Sequence, residues 1–119
     1  MTTSANDRHA RHDLNEVIHQ PVRFSILAAL FNAERVDFSF LEQHLDLTES
    51  NLSRHLGALE QARLISVDKV FEKKRARTWL SLTPHGRKAF AAHVDALRRI
   101  VSSGQERSSK VKGLASTLL

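Results

Sequence analysis

The segment Thr-Glu-Ser-Asn-Leu-Ser-Arg-His-Leu-Gly-Ala-Leu-Glu-Gln, residues 48–61, restricts the fold more than any other part of the chain. Leu52, Leu56 and Leu59 stand at i, i+4 and i+7, so an α-helix gathers them on one face to be buried. Thr48 is suited to cap that helix, because its hydroxyl accepts from a free amide of the first turn. Glu49 sits well beside the positive end of the helix dipole. The opposite face holds Ser50, Asn51, Arg54 and Ala58, with Ser53 and His55 on its flanks. A helix with one leucine face and one hydrogen-bonding face must pack against other elements on one side and leave the other side for solvent or a partner.

The flanking sequence supplies those elements. Asp13 and Glu16 have the spacing of a helix start, and Leu14, Val17 and Ile18 then share one helical face. Pro21 disfavours helix at the residue before it and suits a new first turn, with Ile26, Leu27, Leu30 and Phe31 as the next apolar stripe. Val36-Asp37-Phe38 alternates like a small edge strand. Ser39-Phe40-Leu41-Glu42 is a capping box that predicts a helix of about two turns, with Phe40, Leu41 and Leu45 inward. Asp46-Leu47 makes a tight turn into the helix at 48–61.

After that helix, residues 64–71 and 78–82 are β-rich, and the basic segment 72–77 lies between them. They predict a β-hairpin. The absence of Asn-Gly or Asp-Gly predicts a connecting loop longer than two residues. Thr83-Pro84 is an N-cap followed by proline at the first helical position. A long helix is expected from there to about Ser103, with Phe90, Val94, Leu97 and Val101 at heptad-like spacing, and Gly104 ending it. Residues 1–12 lack apolar periodicity and are expected to be a mobile arm. The domain is expected to span 13–103, and 104–119 to form a C-terminal tail.

Composition narrows the function classes. The 119 residues are 41% hydrophobic and 26% charged, enough for one globular core. There is no cysteine, which excludes disulfides, thiolate metal sites and cysteine nucleophiles. No apolar run approaches the roughly 18–20 residues of a membrane span. The first residues lack the apolar core of a signal peptide, so a cytoplasmic location and no membrane partner are expected. With four glycines, no phosphate-cradling loop and no isolated carboxylate pair, the chain does not read as an enzyme. The net charge of +5 is unevenly spread. Residues 13–63 hold eight acidic side chains against four basic ones, whereas Lys73, Lys74, Arg75 and Arg77 crowd one short stretch.

Helix, helix, tight turn, helix, hairpin, long helix is the order of a winged helix-turn-helix with an added C-terminal helix, a mainly α fold with a small β-hairpin wing. The segment LTESNLSRHLGALEQARLI (47–65) and, after the hairpin, LTPHGR (82–87) resemble the bacterial and archaeal winged-helix transcription regulators, in particular the short MarR-like branch related to ArsR-type repressors. The resemblance covers roughly residues 13–103. It implies that 48–61 is a recognition helix, that 72–77 is the wing, and that the first and last helices form a homodimer. One departure is that the family usually has glycine where this chain has Arg63 after Ala62. Arg63 must therefore take the left-handed cap conformation with strain, or the helix must end differently.

A helix of this width fits the major groove of double-stranded DNA. Asn pairs with adenine and Arg with guanine through their major-groove edges, so Ser50, Asn51, Ser53, Arg54 and His55 are the candidates for base contact. Ser39 and Thr48, at expected helix N-termini, are candidates for phosphate. Lys73, Lys74, Arg75 and Arg77 are candidates for backbone contact by the wing, with Arg75 or Arg77 entering the minor groove. Leu14, Val17, Ile18, Phe90, Val94, Leu97 and Val101 are the expected dimer interface, because a three-helix core closes without a twenty-residue helix. The expected function is a homodimeric regulator, a repressor, on a pseudo-palindromic operator. Gating by a small-molecule effector is compatible with it.

Each feature also has a plainer explanation. The polar face of 48–61 is what any amphipathic helix shows to water, and a charge run solubilises. The apolar stripe of the last helix could cover the protomer's own core. Trp79 either lines an effector pocket or packs against a helix. The seven histidines lack metal-ligand spacing, and no metal or cofactor is expected. The alternative function, from a different class, is a winged-helix module for protein–protein contact, which the acidic balance of 13–63 favours and the polar face at 50–58 disfavours.

Overall fold

A computed structural model describes residues 8–118, with side chains described for 8–104. The elements are a 3-10 turn (Ala10–Asp13), α1 (Pro21–Phe31), β1 (Val36–Asp37), α2 (Phe38–His44), α3 (Glu49–Gln61), β2 (Ile65–Glu72), β3 (Arg75–Leu82) and α4 (Pro84–Leu118). The chain divides into two compact units, residues 15–91 and, separately, the residues up to 14 with those from 92 onward. The architecture is the winged helix expected from the element order, mainly helical with a three-stranded antiparallel sheet in the order β1-β3-β2.

In the unit of residues 15–91, the core is built as the apolar stripes require. Ile26, Leu27 and Leu30 of α1, Leu41 of α2, and Leu52, Leu56 and Leu59 of α3 are buried against Leu64, Ile65 and Leu80 of the hairpin. Leu80 is opposite Val36 on one side and Val67 on the other, which seats the short edge strand β1. Phe90, in the part of α4 that belongs to this unit, places its ring 5.2 Å from both Phe24 and Phe31.

Several local expectations change. The helix expected from Asp13 is absent. Residues 10–13 form the 3-10 turn instead, and Asn15 Oδ1 accepts from the amides of Val17 and Ile18 at 2.9 and 3.2 Å. That side-chain-made turn competes with a helix and delivers the chain to Gln20, whose side chain caps α1 ahead of Pro21. α2 begins one residue before Ser39, with Asp37 rather than Ser39 as its cap. Phe40 is 51% exposed instead of inward. The hairpin loop is not long. Glu72 pairs with Arg75, leaving Lys73 (φ 48°) and Lys74 (φ 63°) as a two-residue turn with the paired positive φ of type I′. Gly104 does not end the last helix, which continues to Leu118. Of the expected arm, residues 1–7 lie outside the described residues, and 8–12 lead into and form the 3-10 turn.

In the unit formed by the chain ends, Arg99 joins Asp13 and Asp95 through contacts of 2.9 Å each. His93 and Ala96 are buried, Leu14, Val94 and Leu97 half-buried, and Val101 is 68% exposed.

Candidate nucleic-acid interface

The turn between α2 and α3 is what aims α3. α2 ends with the Leu47 amide bonded to the Glu42 carbonyl and the Asp46 amide to that of Gln43. This paired closure needs a left-handed residue, and Asp46 supplies it at φ 54°. Asp tolerates that conformation better than most residues. Thr48 then caps α3 as expected, its Oγ1 accepting from the Asn51 amide at 3.2 Å. With Leu52, Leu56 and Leu59 inward, Ser50, Asn51, Ser53 and Arg54 are exposed together along one side of the first two turns. Thr48 and Ser39 are exposed as well.

His55 departs from its expected place. It is 5% exposed, with Nδ1 3.5 Å from the Arg23 guanidinium, so it is an interhelical packing residue and not a base contact. Burial pushes its pKa below the ordinary histidine value, and the nearby charges of Arg54 and Arg23 push the same way. Arg23 in turn donates from Nε to the Val17 carbonyl, tying the entry turn, α1 and α3 together.

The other end of α3 settles the question raised by Arg63. The Leu64 amide bonds the Leu59 carbonyl and the Arg63 amide bonds that of Glu60, a Schellman closure with Arg63 at φ 61°. The next step is locked by Thr83, whose hydroxyl lies 2.7 Å from the Arg63 carbonyl oxygen and accepts from the Gly86 amide at 2.8 Å. The Leu-Thr-Pro-His-Gly-Arg motif thus ties the start of α4 to the end of α3.

The wing brings its cations together at the tip. Lys73, Lys74 and Arg75 are exposed around the type I′ turn. Arg77 is engaged differently. Its Nη2 lies 2.9 Å from Asp37 Oδ2, its Nη1 is 3.8 Å from Glu72, and its guanidinium sits 4.8 Å from the centre of the Trp79 ring. Asp37 is therefore shared, one oxygen capping α2 through the Phe40 amide at 2.7 Å and the other holding the wing. That amide bond is the main reason the Asp37 carboxyl lies below the usual carboxylate range. Partial burial opposes the shift, and the Arg77 hydrogen bond and charge add to it.

Trp79 lies on the outer face of β3, with the Arg35 guanidinium 3.8 Å from its ring centre. It lines an apolar groove of about 820 Å³ with Phe24, Ala28, Phe40 and His44 among the walls. Sequence reasoning missed Arg35, Asp37 and Arg23. Only Asp37 left a trace in the sequence, because it stands three residues before the amide it caps.

Two of the expected dimer residues are core residues instead. Ile18 is fully buried and Phe90 is 6% exposed within the protomer, so neither offers surface to a partner. Among the described residues, no three His, Asp or Glu side chains are placed to hold a metal ion, and no helix is long and apolar enough to cross a membrane.

Comparison with known proteins agrees with this geometry. The family described as winged helix DNA-binding domain matches residues 22–101. An uncharacterized protein of Methanocaldococcus jannaschii is 34% identical over 79 residues, covering 66% of this chain and 86% of that protein. A transcriptional regulator homologue from Pyrococcus horikoshii superposes with a TM-score of 0.71 at 28% identity, covering 75% of this chain and 88% of the other. MepR of S. aureus, solved as a complex with DNA, shares the fold at 21% identity, with a TM-score of 0.66 over 92% of this chain and 89% of its own. From the capped α3, the short sheet with its basic tip and the match over residues 22–101, the chain belongs to the winged helix DNA-binding domain family.

Proposed function

We propose that this chain is a sequence-specific transcription regulator that binds double-stranded DNA as a homodimer. α3 enters the major groove, and the wing lies on the backbone and the adjacent minor groove. The observation that carries the reading is the joint exposure of Ser50, Asn51, Ser53 and Arg54 on α3 with Lys73, Lys74 and Arg75 at the wing tip. Hydrogen-bonding side chains on a helix read base edges, and flanking cations hold phosphates. Thr48 and Ser39 are exposed where phosphates would pass. The DNA complex of MepR supports the same partner.

The homodimer rests on Leu14, Val17, Val94, Leu97 and Val101, the members of the expected interface that keep surface. Two recognition helices about 34 Å apart then match a pseudo-palindromic operator one DNA turn between half-sites. A dimer seated on an operator blocks that stretch of DNA, the simplest route to repression. The apolar groove beside Trp79 supports gating by a small-molecule effector, since such ligands favour concave, mostly apolar sites with a few polar groups.

The test is fluorescence anisotropy over a salt series with two duplexes, the region upstream of the chain's own gene and a scramble of equal length. Tighter binding to the first by about 10³-fold or more, with a steep salt slope, supports the reading. No binding to either at low salt overturns it in favour of a protein-contact module.

A further inference from the structure

Phe71 is 75% exposed, the most exposed large apolar side chain among the described residues. Its position is fixed by register. In an antiparallel pair, directly opposed residues share a face. Val67 opposes Leu80, Lys69 opposes Thr78, and Phe71 opposes Ala76. Val67, Lys69 and Thr78 line a cleft with Glu49, Ser53, Gly57 and Glu60 of α3, so this is the face of the sheet turned toward α3. Phe71 lies on that same face four residues beyond Val67, about 13 Å further along the strand. Ala76 opposite it is too small to cover the ring.

The wing tip beyond it is basic. Lys69 precedes Phe71 by two residues on the same face, Lys73 and Lys74 form the turn that follows, and Arg75 stands opposite Glu72 on the other face, all four cations exposed. A bare aromatic ring beside that basic tip is poorly suited to an apolar protein partner, which would have to desolvate those charges. It suits a polyanion that also offers apolar surface, and the minor groove of duplex DNA offers deoxyribose walls and base-step edges between two rows of phosphate. Minor-groove proteins insert apolar wedges of this kind at deformable steps.

We propose that Phe71 is the wing's wedge. Its ring enters the minor groove beside the half-site read by α3, while Lys73, Lys74 and Arg75 hold the flanking phosphates. The inference rests on the DNA-binding reading above and adds a specificity element to it, a preference for a flexible pyrimidine–purine step at the wing position that no side chain of α3 reads.

The experiment uses the whole chain and a duplex enriched by the wild-type protein from a random-sequence pool. Phe71→Ala, Phe71→Leu and Lys74→Ala are compared by affinity over a salt series and by hydroxyl-radical footprint, which reports minor-groove access. An apolar contact releases no counterions. Phe71→Ala is therefore expected to weaken binding about tenfold at every salt concentration without changing the slope. It should also lose protection in the flanking minor groove while keeping protection over the half-site. Phe71→Leu should stay close to wild type. Lys74→Ala should lower the salt slope by about one. A Phe71→Ala protein that binds and protects like wild type overturns the wedge and leaves the DNA reading standing. A reduced slope for Phe71→Ala also overturns it, since the loss would then run through neighbouring charges. Wild-type protein that enriches no duplex overturns both.

Discussion

The Cα of Gly86 rests against the backbone of Leu64. A Cβ on Gly86 would lie 1.9 Å from the Leu64 carbonyl oxygen and 2.7 Å from its carbonyl carbon. The same carbonyl accepts from the Thr83 amide at 3.1 Å. One main-chain segment, 63–64, is thus clasped by the first turn of α4 just where α3 hands over to the wing. A side chain at 86 has to open that clasp. Gly86→Ala is expected to destabilise the fold by about 1–3 kcal/mol, as overpacking against unyielding backbone does. Urea denaturation measures it, and an unchanged midpoint would show that the clasp gives way freely.

Of the four left-handed non-glycine residues among those described, Asp46 tolerates the conformation best, while Arg63, Lys73 and Lys74 carry strain that can be relieved. Arg63 holds the Schellman position of α3 at a cost of about 1–2 kcal/mol relative to glycine. Arg63→Gly is expected to raise the urea midpoint. Replacing Lys73-Lys74 by Asn-Gly, the pair best suited to a type I′ turn, is expected to stabilise the hairpin as well. It should also lower the salt slope of DNA binding by about two, one for each lysine removed. If stability and DNA affinity rose together, the wing lysines would not be phosphate contacts.

How much of this was legible depends on whether a feature is local or tertiary. The buried faces of α1 and α3, the Thr48 cap and the Thr83-Pro84 start of α4 follow from spacing and hydrogen-bonding chemistry within a few residues, and the structure has them. The type I′ wing turn was missed because Lys-Lys lacks the glycine that normally signals positive φ at both positions. Ser39 and Glu42 form a good local box, which points to Ser39 as the α2 cap. Asp37 takes the role because its second oxygen also meets Arg77, forty residues away. His55 looked like a flank of the exposed face, yet the burial of α3 extends one position wider and Arg23 meets it there. Periodicity marks which face is apolar, not how wide the packed face is.

His55 makes the stability of the fold depend on pH. Its pKa is lowered in the folded state, first by burial and then by Arg54 and Arg23. The unfolded chain therefore binds the proton more readily than the folded one. The contribution is fully present above the unfolded histidine value of about 6.5 and is lost as pH falls below it toward the folded value. Unfolding free energy should drop between pH 7.5 and 5.0, and His55→Gln should flatten that drop. An equal slope in the variant would assign the pH dependence to other groups.

Val101 is the most exposed apolar residue of the stripe on α4, at 68%. If that stripe meets a second copy, Val101→Glu places a charge in an apolar interface and should shift the protein to monomer in sedimentation velocity, with helical content retained. A sedimentation profile identical to wild type would remove Val101 from the interface.

The exposed face of α3 is the centre of the account, and base-by-base specificity tests it most directly. Asn51→Ala and Arg54→Ala should each cost about 1–3 kcal/mol at one base position of the bound duplex and leave discrimination elsewhere intact. That is measured by anisotropy against a set of single-substitution duplexes. Uniform losses across every duplex would mean that these side chains touch only the backbone. No loss in either variant would contradict α3 as the reading helix.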